Sequence, residues 1–174
     1  MLFRSGRWLF VHNGEILEMD KLHRDLLLAV DPTLFGEILG TTDSEVMFYL
    51  ALTFGLEKDP IGGIARMAGF VEHTARAHGV REPLWMTLGV SDGESIWAVR
   101  YASDGDAPTL YHSRDVADLA ALNPDIPHIM GAHARAVVSE PIGKFAEIWA
   151  EIPQSSALHA RAGELEILPF KPSA

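Results

Sequence analysis

Apolar positions in the first half of the chain recur at helical spacing. A helix is predicted over residues 19–30, with Asp20 as a candidate N-cap, and it ends before Pro32 because proline cannot continue a helix. A second helix is predicted over residues 46–56. That segment is apolar nearly all round, which is typical of a helix buried between two layers.

A third helix is predicted to begin at Asp59-Pro60. Aspartate is a good N-cap and proline is favoured at the first helical position. Gly79 is expected to end this helix. Its apolar residues recur at steps of three and four and form one stripe, which consists of Ile61, Ile64, Ala68, Val71 and Ala75.

From Pro83 onward the pattern becomes extended. Two strands, over residues 84–90 and 95–101, are predicted to be joined by a hairpin turn at Asp92-Gly93. Helices followed by antiparallel strands indicate the α+β class, in a single domain over residues 1–174. Shorter elements are expected further on: strands at 109–112, 134–139, 157–161 and 164–168, and a brief helix at 115–122. The last two of these strands are expected to pair through a turn at Ala162-Gly163.

Near the N-terminus, residues 7–11 are predicted to form a strand that ends in a tight turn at Asn13-Gly14. An ordinary hairpin would explain this pair of residues. The pair also offers two neutral hydrogen-bond donors, the carboxamide of Asn13 and the backbone N–H of Gly14. Two converging donors of this kind are what an oxyanion hole requires, and glycine allows a ligand to approach the backbone closely.

A second polar cluster lies at the start of the buried helix. Thr42 and Glu45 have the spacing of a capping box, which places Asp43 in the first helical turn. The helix dipole alone would account for this acid, since it favours a negative charge there by about 0.3–1 kcal/mol without any ligand.

Composition excludes several classes of partner and site. The formal net charge of −10 argues against nucleic acid and anionic membrane surfaces, because both attract clustered positive charge. The sequence has no signal-peptide pattern and no apolar run that would span a bilayer, so a cytoplasmic location is expected. The absence of cysteine excludes disulfides, thiolate metal sites and a cysteine nucleophile within these residues.

The eight histidines do not show the spacing of a metal site. No pair has the helical i, i+4 arrangement of a metalloprotease motif, and no histidine-rich tract occurs. We therefore expect neither a metal nor a cofactor.

The two N-terminal clusters together resemble the type II glutamine amidotransferases, and the run over residues 3–10 is most similar to their stand-alone bacterial branch. The resemblance implies the N-terminal-nucleophile hydrolase fold, with stacked antiparallel sheets flanked by helices. It begins in the middle of the family pattern, so the expected fold is incomplete at the N-terminus and lacks the segment with the nucleophilic cysteine. It rests on Phe10-Val11-His12-Asn13-Gly14, Thr42-Asp43-Ser44-Glu45 and Ser139-Glu140-Pro141.

The resemblance also implies a reaction, the hydrolysis of glutamine or another γ-glutamyl amide. In this family a thiol attacks the side-chain amide, and the oxyanion would be held here by Asn13 and Gly14. Asp43 would bind the α-amino group of the substrate. His12 would lie on the substrate-binding side, where it orients the turn and does not act as a base. Hydrolysis fits better than channelled amination because no synthase domain is recognised.

Three explanations of the missing thiol stay open. The sequence is part of an ordinary enzyme, or one half of a two-chain enzyme, or a binding or structural domain derived from this family. In each of them the chain alone is expected to be inactive. Its partners would be a small-molecule substrate and, at an exposed sheet edge, a second copy or the N-terminal segment, with no nucleic acid or membrane.

Overall fold

Two stacked antiparallel sheets and a layer of helices make up the part of the chain that the computed structural model describes, residues 2–114, 120, 123–124, 135–141 and 146–173. The first sheet has six strands in the order β1-β2-β3-β4-β8-β9, and the second has three in the order β6-β5-β7. The strands are β1 (Leu2–Ser5), β2 (Trp8–Ile16), β3 (Leu84–Ser91), β4 (Ser95–Ala102), β5 (Tyr111–Ser113), β6 (Val137–Val138), β7 (Trp149–Glu151), β8 (Ser156–Arg161) and β9 (Glu164–Pro169).

The helices of the described residues precede most of the strands, so the predicted α+β class is confirmed. They cover one face of the six-stranded sheet, and the three-stranded sheet lies over the opposite face, where Ala98, Leu110 and Leu158 pack together. The helices are α1 (Met19–Leu28), α2 (Pro32–Phe35), α3 (Asp43–Thr53) and α4 (Pro60–Ala77), with a 3-10 turn at Ala146–Ile148.

The first predicted helix is confirmed, but its predicted cap is wrong. Glu18, with φ of 52°, occupies the N-cap position and makes no side-chain cap hydrogen bond, while Asp20 lies in the first turn. After α1 the structure adds a short helix that was not predicted. Asp31 accepts a hydrogen bond from the N–H of Thr33 at 2.8 Å and so starts the short helix α2.

The next two predicted helices are confirmed, together with their caps. Thr42 accepts a hydrogen bond from the N–H of Glu45 at 3.3 Å, and α3 is buried over most of its length. Asp59 accepts one from the N–H of Gly62 at 3.0 Å and starts α4. After α4, Gly79 adopts a φ of 76°, which favours glycine and ends the helix.

The helix layer and the sheet share the main core. The rings of Phe10 on β2 and Phe48 on α3 stack with their centroids 5.2 Å apart. The C-terminal segment closes the far side of α4. Phe170 is buried, and the N–H of Ser173 donates to the carbonyl of Ala65 at 3.0 Å.

The C-terminal segment lies directly against α4. A β-carbon on Gly69 would lie 2.0 Å from the carbonyl oxygen of Ser173, so the close approach depends on glycine at this position.

The strands of the second half agree with the prediction to different degrees. The β3–β4 hairpin and the β8–β9 hairpin are confirmed, and the latter turns through Ala162 and Gly163 with φ of 49° and 90°. Strands β5 and β6 are shorter than expected, and β7 was not predicted. The helix expected at 115–122 lies largely outside the described residues.

The prediction of a tight turn at Asn13-Gly14 is wrong. Strand β2 continues through both residues to Ile16, because each of them pairs with a residue of β3. The hairpin turn of this region lies earlier, at Gly6-Arg7, and joins β2 to the unpredicted strand β1. Pairing with a central strand has overridden the turn propensity of the Asn-Gly pair.

Candidate active site

The four residues singled out from the sequence lie at the end of β2 and the start of α3. Successive side chains of a strand point to opposite faces of the sheet. His12 is half-buried on the face that packs against the helices, and Asn13 is exposed on the other face. The structure therefore places the Asn13 carboxamide and the His12 ring on different sides of the same strand.

Gly14 occupies a position that requires glycine. Its φ is 142°, and a β-carbon there would lie 1.8 Å from the carbonyl oxygen of Trp85 on the neighbouring strand. No side chain fits such a gap without moving the backbone of β3. A local sequence pattern could not indicate this constraint, because Trp85 is distant in the chain.

The edge of β2 near Gly14 is not covered by β1. Pairing between β1 and β2 stops at the Leu2–Val11 pair. Beyond that point, the N–H of Leu17 donates to Pro83 at 2.8 Å on the β3 side. The N–H of Ile16 points the other way and donates to Oδ2 of Asp43 at 2.9 Å. Alternation along the strand directs the Gly14 N–H to this same Asp43 side.

Asp43 is held at this edge by several hydrogen bonds. Besides the bond from Ile16, its Oδ1 accepts from the N–H of Ser44 at 2.6 Å and lies 3.2 Å from the Ser44 hydroxyl. The Ser44 hydroxyl is also 2.9 Å from Nδ1 of His12. The structure thus joins Asp43, Ser44 and His12 in one chain of contacts that links α3 to β2.

His12 is neutral at neutral pH. Burial lowers the pKa of its ring below the ordinary value of 6.5, and the opposing effects of the Asp43 charge and the Trp85 backbone are smaller. Its Nε2 is buried and has no partner at normal hydrogen-bond geometry among the described residues, so the Trp85 backbone acts on the ring only through a weaker contact.

Glu45 stabilises the loop before α3 in a way that the capping-box prediction missed. Its side chain is only 6% exposed, and its carboxylate accepts hydrogen bonds from the N–H groups of Leu39 at 3.0 Å and Gly40 at 2.7 Å. Of the predicted box, the hydrogen bond from the Glu45 N–H to the Thr42 hydroxyl oxygen is present, whereas the Glu45 carboxylate accepts from the preceding loop. Leu39 is left 91% exposed.

A cavity of about 630 Å³ lies on the Asn13 side of the sheet. Its walls come from both sheets and are mostly apolar, and Ser139 of the third motif contributes to them. Gly14 and Asp43 are not among its lining residues. The cavity is lined by β2, β3 and the second sheet, including Val11, Asn13, Thr87, Gly89, Leu110 and Val137.

No three His, Asp or Glu side chains within the described ranges come together as a metal site would require. Among the helices that the structure describes, none is both long and apolar enough to cross a membrane.

Comparison with solved structures finds proteins of the same fold. A glutamine aminotransferase class-II domain protein from Silicibacter pomeroyi is 32% identical, with a TM-score of 0.86, and the alignment covers 100% of this chain and 72% of that protein. Neither the protein-family models nor the curated proteins gave a match.

Two more distant structures share the fold. The glutamine phosphoribosylpyrophosphate amidotransferase of B. subtilis is 14% identical with a TM-score of 0.57, and the alignment covers 99% of this chain and 32% of that enzyme. A predicted glutamine amidotransferase from Pseudomonas aeruginosa is 15% identical with a TM-score of 0.50, with coverages of 95% and 62%. Given the identity and coverage of the Silicibacter protein, the chain belongs to the type II glutamine amidotransferase family.

Proposed function

We propose that this chain carries the oxyanion-binding and amino-group-binding parts of an enzyme that hydrolyses glutamine or another γ-glutamyl amide. The observation that carries the proposal is the hydrogen bond from the Ile16 N–H to Asp43. It holds a carboxylate beside the strand edge to which Gly14 directs its own N–H. Membership of the amidotransferase family supplies the substrate class.

Each residue has a distinct part in the proposed reaction. A thiolate attacks the amide carbon of the substrate, and the Asn13 carboxamide and the Gly14 N–H donate to the resulting oxyanion. The carbon–nitrogen bond then breaks, and ammonia leaves with a proton. Water hydrolyses the thioester and releases glutamate.

The other end of the substrate would be held on the Asp43 side. A carboxylate is the natural partner of an ammonium group, and a charge-assisted hydrogen bond fixes both orientation and affinity. We assign Asp43 to this contact and place His12 beside it on the substrate-binding side. Residues 1–174 would act as one domain of the enzyme.

The sequence has no cysteine, so the thiol must come from outside these residues. We infer that the chain alone does not hydrolyse glutamine. The same observation supports a second candidate function, a non-catalytic domain that binds a glutamyl group. A third arrangement, in which a separate chain supplies the cysteine, leads to the same chemistry as the first.

A fusion experiment tests the enzymatic proposal. The chain is assayed for release of ammonia and glutamate from glutamine, first alone and then with a family N-terminal segment carrying the cysteine placed ahead of it. We expect turnover only in the fusion, and Asn13→Ala in the fusion should lower kcat by about 10²–10³-fold.

One control makes the result specific. Replacing the added cysteine by alanine should abolish turnover. A folded fusion that hydrolyses neither glutamine nor other γ-glutamyl amides would contradict the enzymatic proposal and favour the binding domain.

A further inference from the structure

Ser44 connects two residues that the proposed function uses. Its hydroxyl lies 2.9 Å from Nδ1 of His12 and 3.2 Å from Oδ1 of Asp43, and its backbone N–H donates to the same Oδ1 at 2.6 Å. The three residues come from two elements, β2 and α3, which pack against each other. Ser44 therefore lies between the carboxylate at the strand edge and the ring behind it.

The contacts of Ser44 restrict the positions of the protons. A serine hydroxyl has one proton to donate and can accept at the same time. A carboxylate can only accept, so the 3.2 Å contact is a hydrogen bond only if Ser44 donates to Asp43. The Nδ1 of a neutral His12 must then carry the ring proton and donate to Ser44. In the opposite arrangement, Ser44 donates to His12 and its hydroxyl does not hold Asp43.

We propose that Ser44 is a positioning residue that accepts the Nδ1 proton of His12, donates to Oδ1 of Asp43 and so fixes the carboxylate for the α-ammonium group of the substrate. This inference rests on the proposed function of Asp43. Ile16 fixes the other oxygen, Oδ2, through its N–H. With both oxygens held from the protein side, the remaining lone pairs of the carboxylate stay in one orientation toward a ligand.

Binding of two ligands by the full chain tests the inference. L-Glutamine carries the α-ammonium group, whereas glutaramic acid has the same amide chain without it. We expect the wild type to prefer L-glutamine, and Ser44→Ala to weaken L-glutamine binding about tenfold, which corresponds to one hydrogen bond to a charged group. Binding of glutaramic acid should not change. Dissociation constants from calorimetry or ligand-observed NMR give both values.

Two variants separate positioning from a general loosening of the helix. Thr42→Ala removes the cap of the same helix but not the link to His12, so it should lower the melting temperature while leaving the preference for L-glutamine intact. Ser44→Thr keeps a hydroxyl and should restore binding. If Thr42→Ala weakens L-glutamine as much as Ser44→Ala does, or if Ser44→Ala binds like the wild type, the inference is overturned and the proposed function is not affected.

A readout without ligand completes the test. Nitrogen-15 NMR of the His12 ring should show the Nδ1–H tautomer in the wild type and a loss of that preference in Ser44→Ala. An Nε2–H tautomer in the wild type would overturn the inference even if no ligand binds. A wild type that binds L-glutamine and glutaramic acid equally would instead remove Asp43 from the amino-group site, and the inference would fail with it.

Discussion

The carbonyl oxygen of Trp85 lies 1.8 Å from the position that a β-carbon on Gly14 would occupy. Strand β3 therefore approaches β2 so closely at this point that only a residue without a side chain fits. The same residue directs its N–H to the uncovered edge of β2. The requirement for glycine at position 14 thus comes from the packing of the sheet, independently of any reaction that uses this N–H.

Gly14→Ala is expected to destabilise the fold by about 3 kcal/mol or more, because the overlap with Trp85 adds to an unfavourable φ. Urea denaturation measures the free energy of unfolding. Gly6→Ala is the matched control. Gly6 also has a positive φ, of 55°, but there is open space around its β-carbon position. Gly6→Ala is therefore expected to lower the free energy of unfolding by only about 1 kcal/mol. Equal losses in the two variants would contradict the packing argument.

Glu45→Gln should cost about 2 kcal/mol of folding stability. The glutamine amide would replace one carboxylate oxygen by a donor that faces the N–H of Leu39 or Gly40, so one charge-assisted bond is lost and one N–H loses its partner. Thermal or urea unfolding measures the effect. Glu57 is exposed and provides the control, because no such pair of backbone hydrogen bonds to its carboxylate is described. Glu57→Gln should change the free energy of unfolding by less than about 0.5 kcal/mol.

The stability contribution of His12 should depend on pH. Because burial holds the pKa of the folded ring below 6.5, the unfolded chain binds the proton more readily at mildly acidic pH. The contribution is fully present above pH 6.5 and is lost as the pH falls toward the folded-state pKa. The free-energy difference between the wild type and His12→Gln should therefore shrink from about pH 7.5 to about pH 5.5.

The comparison of the wild type with His12→Gln at the two pH values is the direct test of this dependence. If the difference in unfolding free energy between the wild type and His12→Gln grows on acidification, the effect of the Asp43 charge on the His12 pKa outweighs the effect of burial.

The Tyr101 hydroxyl should make the folding stability depend on pH in the alkaline range. Burial, followed by the hydrogen bond to Glu72 at 2.6 Å, raises the pKa of its hydroxyl well above 10. Since the folded state keeps the proton longer than the unfolded state, its contribution to stability is present below pH 10 and is lost as the pH rises above it. Tyr101→Phe should cost about 1–2 kcal/mol at neutral pH and lack this alkaline loss.

Ser103→Ala distinguishes the effect of the Tyr101 phenol from the effect of its acceptor, Glu72. Ser103 also donates to Oε1 of Glu72, at 2.7 Å, so this variant removes a neighbouring hydrogen bond but keeps the titrating group. The alkaline loss of stability should persist in Ser103→Ala. If it disappears there too, its source is the Glu72 cluster as a whole and not the Tyr101 hydroxyl.

The sequence predicted best those features that depend on neighbouring residues. Thr42 and Asp59 cap their helices as expected, because the acceptor and the N–H that it binds are three residues apart. The turn at Asn13-Gly14 was wrong because a strand far along the chain pairs with both residues. The hydrogen bond between Ile16 and Asp43 spans 27 positions and leaves no periodic signal.

Within the site, the sequence identified residue types but not their geometry. His12, Asn13 and Asp43 were singled out together, yet the sheet puts the first two on opposite faces. The roles of Ser44 and Glu45 depend on how α3 packs against β2 and the loop before it. Short strands such as β7 have too few residues for a pattern to distinguish them from a loop.

The contact between the C-terminal segment and α4 affects how the protein can be handled. Phe170 and Ser173 hold the last described residues against the helix layer, so a protease can cleave within residues 170–173 only after this contact opens. The rate of that cleavage would then report on separation of the segment from α4. Any sequence fused after these residues should begin with a flexible spacer, since a rigid fusion would pull on the helix itself.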